Sequence, residues 1–382
     1  MNLVAWIVIA VILFAGVFWA GIVHRDIHIW FWSYLRHQNK LAKKPPRDGV
    51  THVMFCFVDH YEPLAAGADF DQGMVRIQRW MRDYPAIAGR FRDSDGRHPV
   101  HSFFYPEEEY RSEYLDKISE LCRGGFGEVE IHLHHDNDTA AGFREKLLTF
   151  ADVLCARHGL LTRQNGTIPF AFIHGNWALD NSRKDGRWCG INNELIVLRD
   201  CGCYADFTLP SAPSDTQTST INAIYYATDD PARPKSHNVG TAMAAGKSPS
   251  GDLLIFQGAL SLHWRHRKFG IWPRIENSDI APNDIPITER TDLWVKQQIH
   301  VEGRPEWLFV KVHTHGAIEE NADFLFGGEL LKLFDHLDRK YNDGVKFALH
   351  YVSAREAYNI AKAAEAGENG NPGLFRDFAI PR

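Results

Sequence analysis

Residues 51–58 read THVMFCFV, a near-continuous apolar run of strand length. A strand that is apolar on both faces needs cover on both sides, as it has inside a parallel sheet flanked by helices. That requirement excludes a helical bundle or a one-sided antiparallel sheet for the body of the chain. The run ends in Asp59-His60-Tyr61-Glu62-Pro63, and α/β folds carry their chemistry at the C-terminal ends of such strands.

The same alternation continues downstream. Strand patterns fall at 100–105, 127–134, 168–173, 204–208, 253–256, 307–312 and 346–352. Helical spacing of apolar residues falls at 74–91, 107–122, 143–158, 192–199, 324–340 and 354–366, the last with Ser353 as a cap. Seven or eight strand–helix units fit, which favours a (β/α) barrel over an open sheet. No glycine-rich phosphate loop follows any strand. Residues 227–250 are rich in Pro, Gly, Ser and Lys and read as a long surface loop of lid length, with His237 solvated on it.

Ahead of this body, residues 3–23 form an uncharged apolar run long enough to span a bilayer. No basic residue precedes it, whereas Arg25, Arg36, Lys40, Lys43, Lys44 and Arg47 follow. The positive-inside tendency then puts the body in the cytoplasm. The expected organisation is a transmembrane anchor at 1–24, a juxtamembrane segment and linker at 25–49 (residues 43–48 as the linker proper), the barrel at 50–366 and a tail at 367–382. Net charge is −6, from 42 basic and 48 acidic residues, so nothing points to nucleic acid. The six cysteines do not make a disulfide framework at this length.

Polar residues gather where the strands end. In GEVEIHLHHDNDT (127–139), Val129, Ile131 and Leu133 alternate with Glu130, His132 and His134. On a strand, His132 and His134 therefore point the same way and can share one metal ion, while His135 points the other way and takes a supporting role. Asp59, His174, Asp206, His313 and His315 stand at other strand ends. One carboxylate and two imidazoles, Asp59 with His132 and His134, make an open three-ligand site for a divalent metal, Zn2+ by default. Such a site lowers the pKa of bound water and polarises a carbonyl, the parts needed to hydrolyse an ester or amide. Glu62 and Asp136 are spare carboxylates. Trp177, Trp264 and Trp272 are candidates for stacking on sugar rings.

These segments, FVDHYEP, EVEIHLHHDND, AFIHGNW, Gly202-Cys203-Tyr204-Ala205-Asp206 and VKVHTHG, resemble in their order the motifs of the polysaccharide deacetylase family, carbohydrate esterase family 4. The similarity runs over residues 50–366. It implies a distorted seven-stranded (β/α) barrel and a metal-dependent removal of N- or O-acetyl groups from a glycan or glycolipid. It also implies Asp59, His132 and His134 as metal ligands, His315, His313 and Asp206 as catalytic residues, and His174, Asn176 and Trp177 around the substrate. The chain departs from the family pattern at three points. Val58 stands where the family has its base, the histidine pair is two apart rather than four, and no arginine matches the third motif. An amidohydrolase-type barrel and a non-catalytic glycan-binding barrel are the alternative expectations.

Overall fold

The computed structural model describes residues 3–44 and 49–382. The linker expected at 43–48 therefore lies mostly outside the described residues.

The chain opens with α1 (Leu3–His24) and α2 (Phe31–Ala42), then enters β1 (Thr51–His60), α3 (Phe70–Ala88), β2 (His101–Pro106), α4 (Ser112–Arg123), β3 (Gly127–Leu133), α5 (Ala140–Ala156) and β4 (Phe170–His174). After an irregular stretch come α6 (Glu194–Asp200), β5 (Cys203–Asp206), β6 (Ile224–Ala227), β7 (Thr241–Ala242), β8 (Leu253–Phe256) and the hairpin β9 (Ser261–Lys268) with β10 (Trp272–Glu276). The chain closes with α7 (Ile287–Lys296), β11 (Trp307–Thr314), α8 (Glu319–Phe324), α9 (Leu330–Tyr341), β12 (Phe347–Val352) and α10 (Ala354–Ala366). Ser353 caps α10 in a capping box with Glu356, as the sequence leads one to expect.

The main sheet has ten strands in the order β11-β1-β2-β3-β4-β5-β8-β6-β7, with β12 also paired to β1. Strands β11 through β8 run parallel, and β6 and β7 extend the sheet antiparallel. Every residue of β1 is buried except the half-buried His52, as its two apolar faces require. The expected seven-stranded ring is not what forms. Among the described residues no ladder joins β8 to β11. The gap is bridged by side chains instead: Lys311 Nζ donates to the carbonyls of Phe207 and Leu209 at 2.6 and 2.7 Å, and Phe256 packs edge-on against Phe309 at 5.4 Å. At its end β11 pairs with residues 278–280 instead, His313 N donating to Ser278 O at 3.0 Å and Ile280 N to His313 O at 2.7 Å.

Two helices differ from the spacing-based expectation. The acids 107–109 do not open α4 but form a separate turn, because Tyr110 and Arg111 are extended and break the helix before Ser112. The stretch expected as one helix at 324–340 is broken by a wide turn at Leu325–Glu329, where Gly328 takes a φ of 128°. The 227–250 segment is not a free loop, since β7 pairs with β6 inside it and His237 is fully buried rather than solvated.

α1 is long and apolar enough to cross a membrane by length and composition. Its C-terminal end joins the body: Phe18 stacks on Trp272 at 5.3 Å, and a side chain at Gly21 would collide with the same indole. The segment that follows α1 is docked as well. Trp30 and Tyr34 are buried in a small core with Ala212, Ile221, Leu260 and Leu262, and Trp264 Nε1 donates to Tyr34 Oη at 3.1 Å. Trp264 and Trp272 thus belong to this junction rather than to a sugar-binding site. Removing a fully buried indole forfeits its transfer energy and leaves a cavity. Trp30→Ala in the full-length chain is therefore expected to lower unfolding stability by about 3–5 kcal/mol. An unchanged unfolding midpoint in detergent would mean that residues 27–42 do not pack on the body.

Candidate functional site

β1 and β11 lie in parallel register, with Val58 opposite His313 and Asp59 opposite Thr314. Alternation along both strands then sends His60, His313 and His315 to one face and Asp59 to the other. The His60 ring stacks on His315 with centroids 4.5 Å apart and stands 6.1 Å from His313. From β3, His132 meets His60 edge-on at 5.0 Å, and His134 lies 4.6 Å beyond His132. Trp177 closes the group, 6.2 Å from His60 and 5.9 Å from His315.

Glu62 sits at the centre. His132 Nδ1 donates to the Ile173 carbonyl at 2.8 Å, which leaves Nε2 facing Glu62 Oε1 at 3.2 Å. His134 Nε2 lies 3.7 Å from the same oxygen, while its Nδ1 bonds Glu108 at 2.5 Å. Burial works against the Glu62 carboxylate, yet the His132 hydrogen bond and the charges of His132, His315 and His134 prevail and hold its pKa at about 2. His134 is raised although burial opposes it, because Glu108, Glu62 and Glu109 surround it. Glu109 goes the other way: burial, with Glu62 and Glu108 nearby, pushes it up to about 7 despite a hydrogen bond from Leu64 N.

One donor atom each from His60, Glu62 and His132 lies within 4.8 Å of the others. Two imidazoles and a carboxylate are a donor set that catalytic zinc sites use. His60 and His132 are buried, whereas His134 and Glu108 reach the surface, so the cluster opens on their side.

The structure places several expected site residues elsewhere. Asp59 is fully buried on the helix-facing side, its two oxygens taken by His101 Nε2 at 2.9 Å and Gly316 N at 2.7 Å. It is not with His132 and His134; the groups the structure brings to His132 are His60 and Glu62 instead. Asp206 accepts from the amide and hydroxyl of Thr208 at 3.0 and 2.7 Å, and burial pushes it up to about 7. It fastens the end of β5 rather than serving the histidines. His174 is fully buried and turned toward His135 and Glu194, so it does not line the substrate side. Asn176 and Trp177 carry consecutive left-handed φ values of 54° and 55°, a turn that delivers the Trp177 ring to the cluster. His315 and His313 do join it. The residues the sequence reading passed over are His60, Glu108 and Glu109, with Glu62 noted only as a spare carboxylate. The signal for His60 was its parity with Val58 inside the buried strand.

No protein-family model matches this chain, and no curated protein does. Among solved structures, a GH57 branching enzyme from the hyperthermophilic archaeon Thermococcus kodakaraensis, in complex with glucose, is similar at 11% identity and a TM-score of 0.38, over 78% of this chain and 69% of that one. The expected deacetylase activity does not stand. The carboxylate assigned to the metal, Asp59, is consumed by His101 and Gly316.

Asp59 instead fixes the His315 loop, since Gly316 O also accepts from Trp80 Nε1 at 2.8 Å. Asp59→Ala strands a buried imidazole and a buried amide and is expected to cost about 1–3 kcal/mol for each. Asp59→Asn, which retains an acceptor for Gly316, is expected to recover part of that. Chemical denaturation checks both. Loss of bound metal in Asp59→Ala with no loss of stability would return Asp59 to the ligand set.

Proposed function

We infer that this chain is a membrane-anchored, metal-dependent hydrolase acting on a sugar-containing substrate, a glycan or glycolipid. The observation that carries the reading is the convergence of His60, Glu62 and His132 under a rim of His134, His315 and Trp177. Zn2+ is the ion this donor set suits, and when bound it supplies a water of lowered pKa and a Lewis acid. The protein's own groups account for the rest. His132 keeps its Nδ1 proton on Ile173 O, so loss of the Nε2 proton it shares with Glu62 frees Nε2 as a ligand. His134, kept basic by Glu108, is placed to hold a proton and hand it to a leaving group. Trp177 offers an aromatic face beside the reacting centre, a surface on which sugar rings pack. α1 keeps the site near the bilayer where a lipid-linked glycan resides.

Glu62→Gln removes the anionic ligand while keeping its shape. It is expected to abolish chelator-sensitive hydrolysis of oligosaccharide and glycolipid substrates and to lower metal affinity by tenfold or more, about 1.4 kcal/mol. Metal content of the purified full-length protein and the release of new reducing ends measure the two. Full turnover in Glu62→Gln, or in chelator-treated wild type, would overturn the metal-dependent reading.

One observation favours a second reading. Glu62 and Glu109 are pushed in opposite directions, to about 2 and about 7. An ionised carboxylate beside a protonated one is the acid–base pairing of a glycosidase that needs no metal. In that case Glu109 is active only while protonated, so the rate falls as pH rises through about 7. Glu109→Gln removes that limb of the profile. A chelator-resistant rate with this limb decides for the carboxylate pair, and a flat profile between pH 6 and 8 (about one unit either side) decides against it.

A further inference from the structure

A second group of ligating side chains lies on the opposite side of the histidine-rich segment. His135 follows β3, His174 ends β4, Cys189 lies in the irregular segment between β4 and α6, and Glu194 opens α6. All four are buried, and one donor atom from each falls within 4.8 Å of the others. His135 Nε2 and His174 Nε2 face each other at 2.9 Å, and Glu194 Oε1 lies 3.2 and 3.3 Å from them. Cys189 Sγ is 3.4 Å from the other Glu194 oxygen.

The hydrogen positions are nearly dictated. His174 Nδ1 donates to the Gly175 carbonyl at 2.6 Å, so its Nε2 presents a lone pair. If His135 carries its proton on Nε2, its buried Nδ1 is bare, has no hydrogen-bond partner and faces the Asp138 carboxylate at 3.4 Å. That is a lone pair against an anion. Placing the proton on Nδ1 makes this contact favourable, but then two lone pairs meet at 2.9 Å. A proton on both nitrogens of His135 would satisfy these contacts, and so does a metal cation between the rings, which in addition engages the Cys189 sulfur, with Asp138 orienting His135 and Gly175 orienting His174 as outer partners do in metal sites. Cys189 Sγ also accepts from the amides of Asn181 and Ile191 at 3.3 and 3.5 Å, donors that suit a thiolate. The surrounding segment explains the need. Asn176, Trp177, Asp180, Asn181, Trp188, Gly186 and Gly190 all take positive φ, and the segment's regular structure is limited to two single 3-10 turns, Gly175–Trp177 and Leu179–Asn181.

We propose that His135, His174, Cys189 and Glu194 bind a structural zinc ion that pins the 175–193 segment between β4 and α6. Two imidazoles, a thiolate and a carboxylate make a closed tetrahedral set. The thiolate and carboxylate together neutralise the dication, so no net charge is buried. Loading releases the Cys189 thiol proton to solvent and leaves the His135 proton on Nδ1. The 2.9 Å separation of the two nitrogens needs to open only to about 3.3 Å, the span of two tetrahedral Zn–N bonds. The site does not depend on the hydrolase reading, although it holds the turn that presents Trp177.

The test uses the full-length protein in detergent, stripped and reloaded with Co2+, together with zinc analysis of the untreated protein. Expected are two metal equivalents and a near-ultraviolet thiolate-to-cobalt charge-transfer band. Cys189→Ala should lose the band and one equivalent, and proteolysis should then cut within 175–193. Cys189→Asp should lose the band but keep the metal, which guards against a variant that merely misfolds. Glu62→Gln should keep the band while losing the other equivalent. One equivalent with the band intact upholds this site and sinks the His60–Glu62–His132 centre. Bound cobalt without the band, or a band that survives Cys189→Ala, overturns the proposal.

Discussion

The end of β1 is governed by the alternation of a strand. Asp59 and His60 are neighbours in the chain but face opposite layers. Asp59 looks into the helix layer, where His101, Gly316 and Trp80 form a sealed polar knot under α3. His60 looks into the cluster, where it meets His315, His132 and Trp177. The two functions are coupled, because the amide that Asp59 binds follows His315 directly. A carboxylate on the dry side thereby sets the position of an imidazole on the working side. Placing Asp59 beside His132 and His315 would need a one-residue slip of β1. That slip would turn every side chain of the strand to the other layer.

Much of the architecture is legible in the sequence because burial on two faces leaves a strong mark. The apolar run of β1 and the helical spacing of α3, α5 and α10 are visible without coordinates. The functional cluster is legible only in part. His132, His134, His313 and His315 announce themselves by strand-end position and shared parity. Which β1 residue joins them depends on the β1–β11 register, fixed by contacts between segments about 250 residues apart. Glu108 and Glu109 were hidden for a different reason. Acids ahead of a helical pattern read as favourable to its dipole, yet the extended backbone at Tyr110 detaches them and turns them toward His134 and Leu64. Ring closure was also out of reach, since side chains of Lys311, Phe256 and Phe309 do what a ladder would have done.

The apolar N-terminal helix and the segment after it are part of the packed structure. A free tether needs no buried tryptophan, but Trp30 is fully buried and Arg25 Nη1 donates to the Pro273 carbonyl at 3.0 Å. His37 and Gln38 reach Gln297 just beyond α7, so the segment touches both the β9–β10 hairpin and the helix layer. The hairpin carries Phe269, 92% exposed, at its turn, while its Trp272 stacks on α1. Helix and hairpin therefore share one apolar face. The body is held at a defined angle to α1 instead of hanging from it.

The segment His132-Leu133-His134-His135 draws these threads together. The alternation of β3 carries on just past its end, so His132 and His134 turn to Glu62 while His135 turns to His174 and Glu194. Three imidazoles within four residues thus serve two centres on opposite sides of a single chain. Their burial differs accordingly. The His132 side opens to solvent through His134 and Glu108, as chemistry on a substrate requires. The His135 side is closed by Cys189 and by Phe143, whose ring stacks on His135 at 4.6 Å. A closed donor set holds a fold together and an open one leaves room for a substrate. That contrast is the ground for the two roles proposed, catalysis on one side and a structural ion on the other.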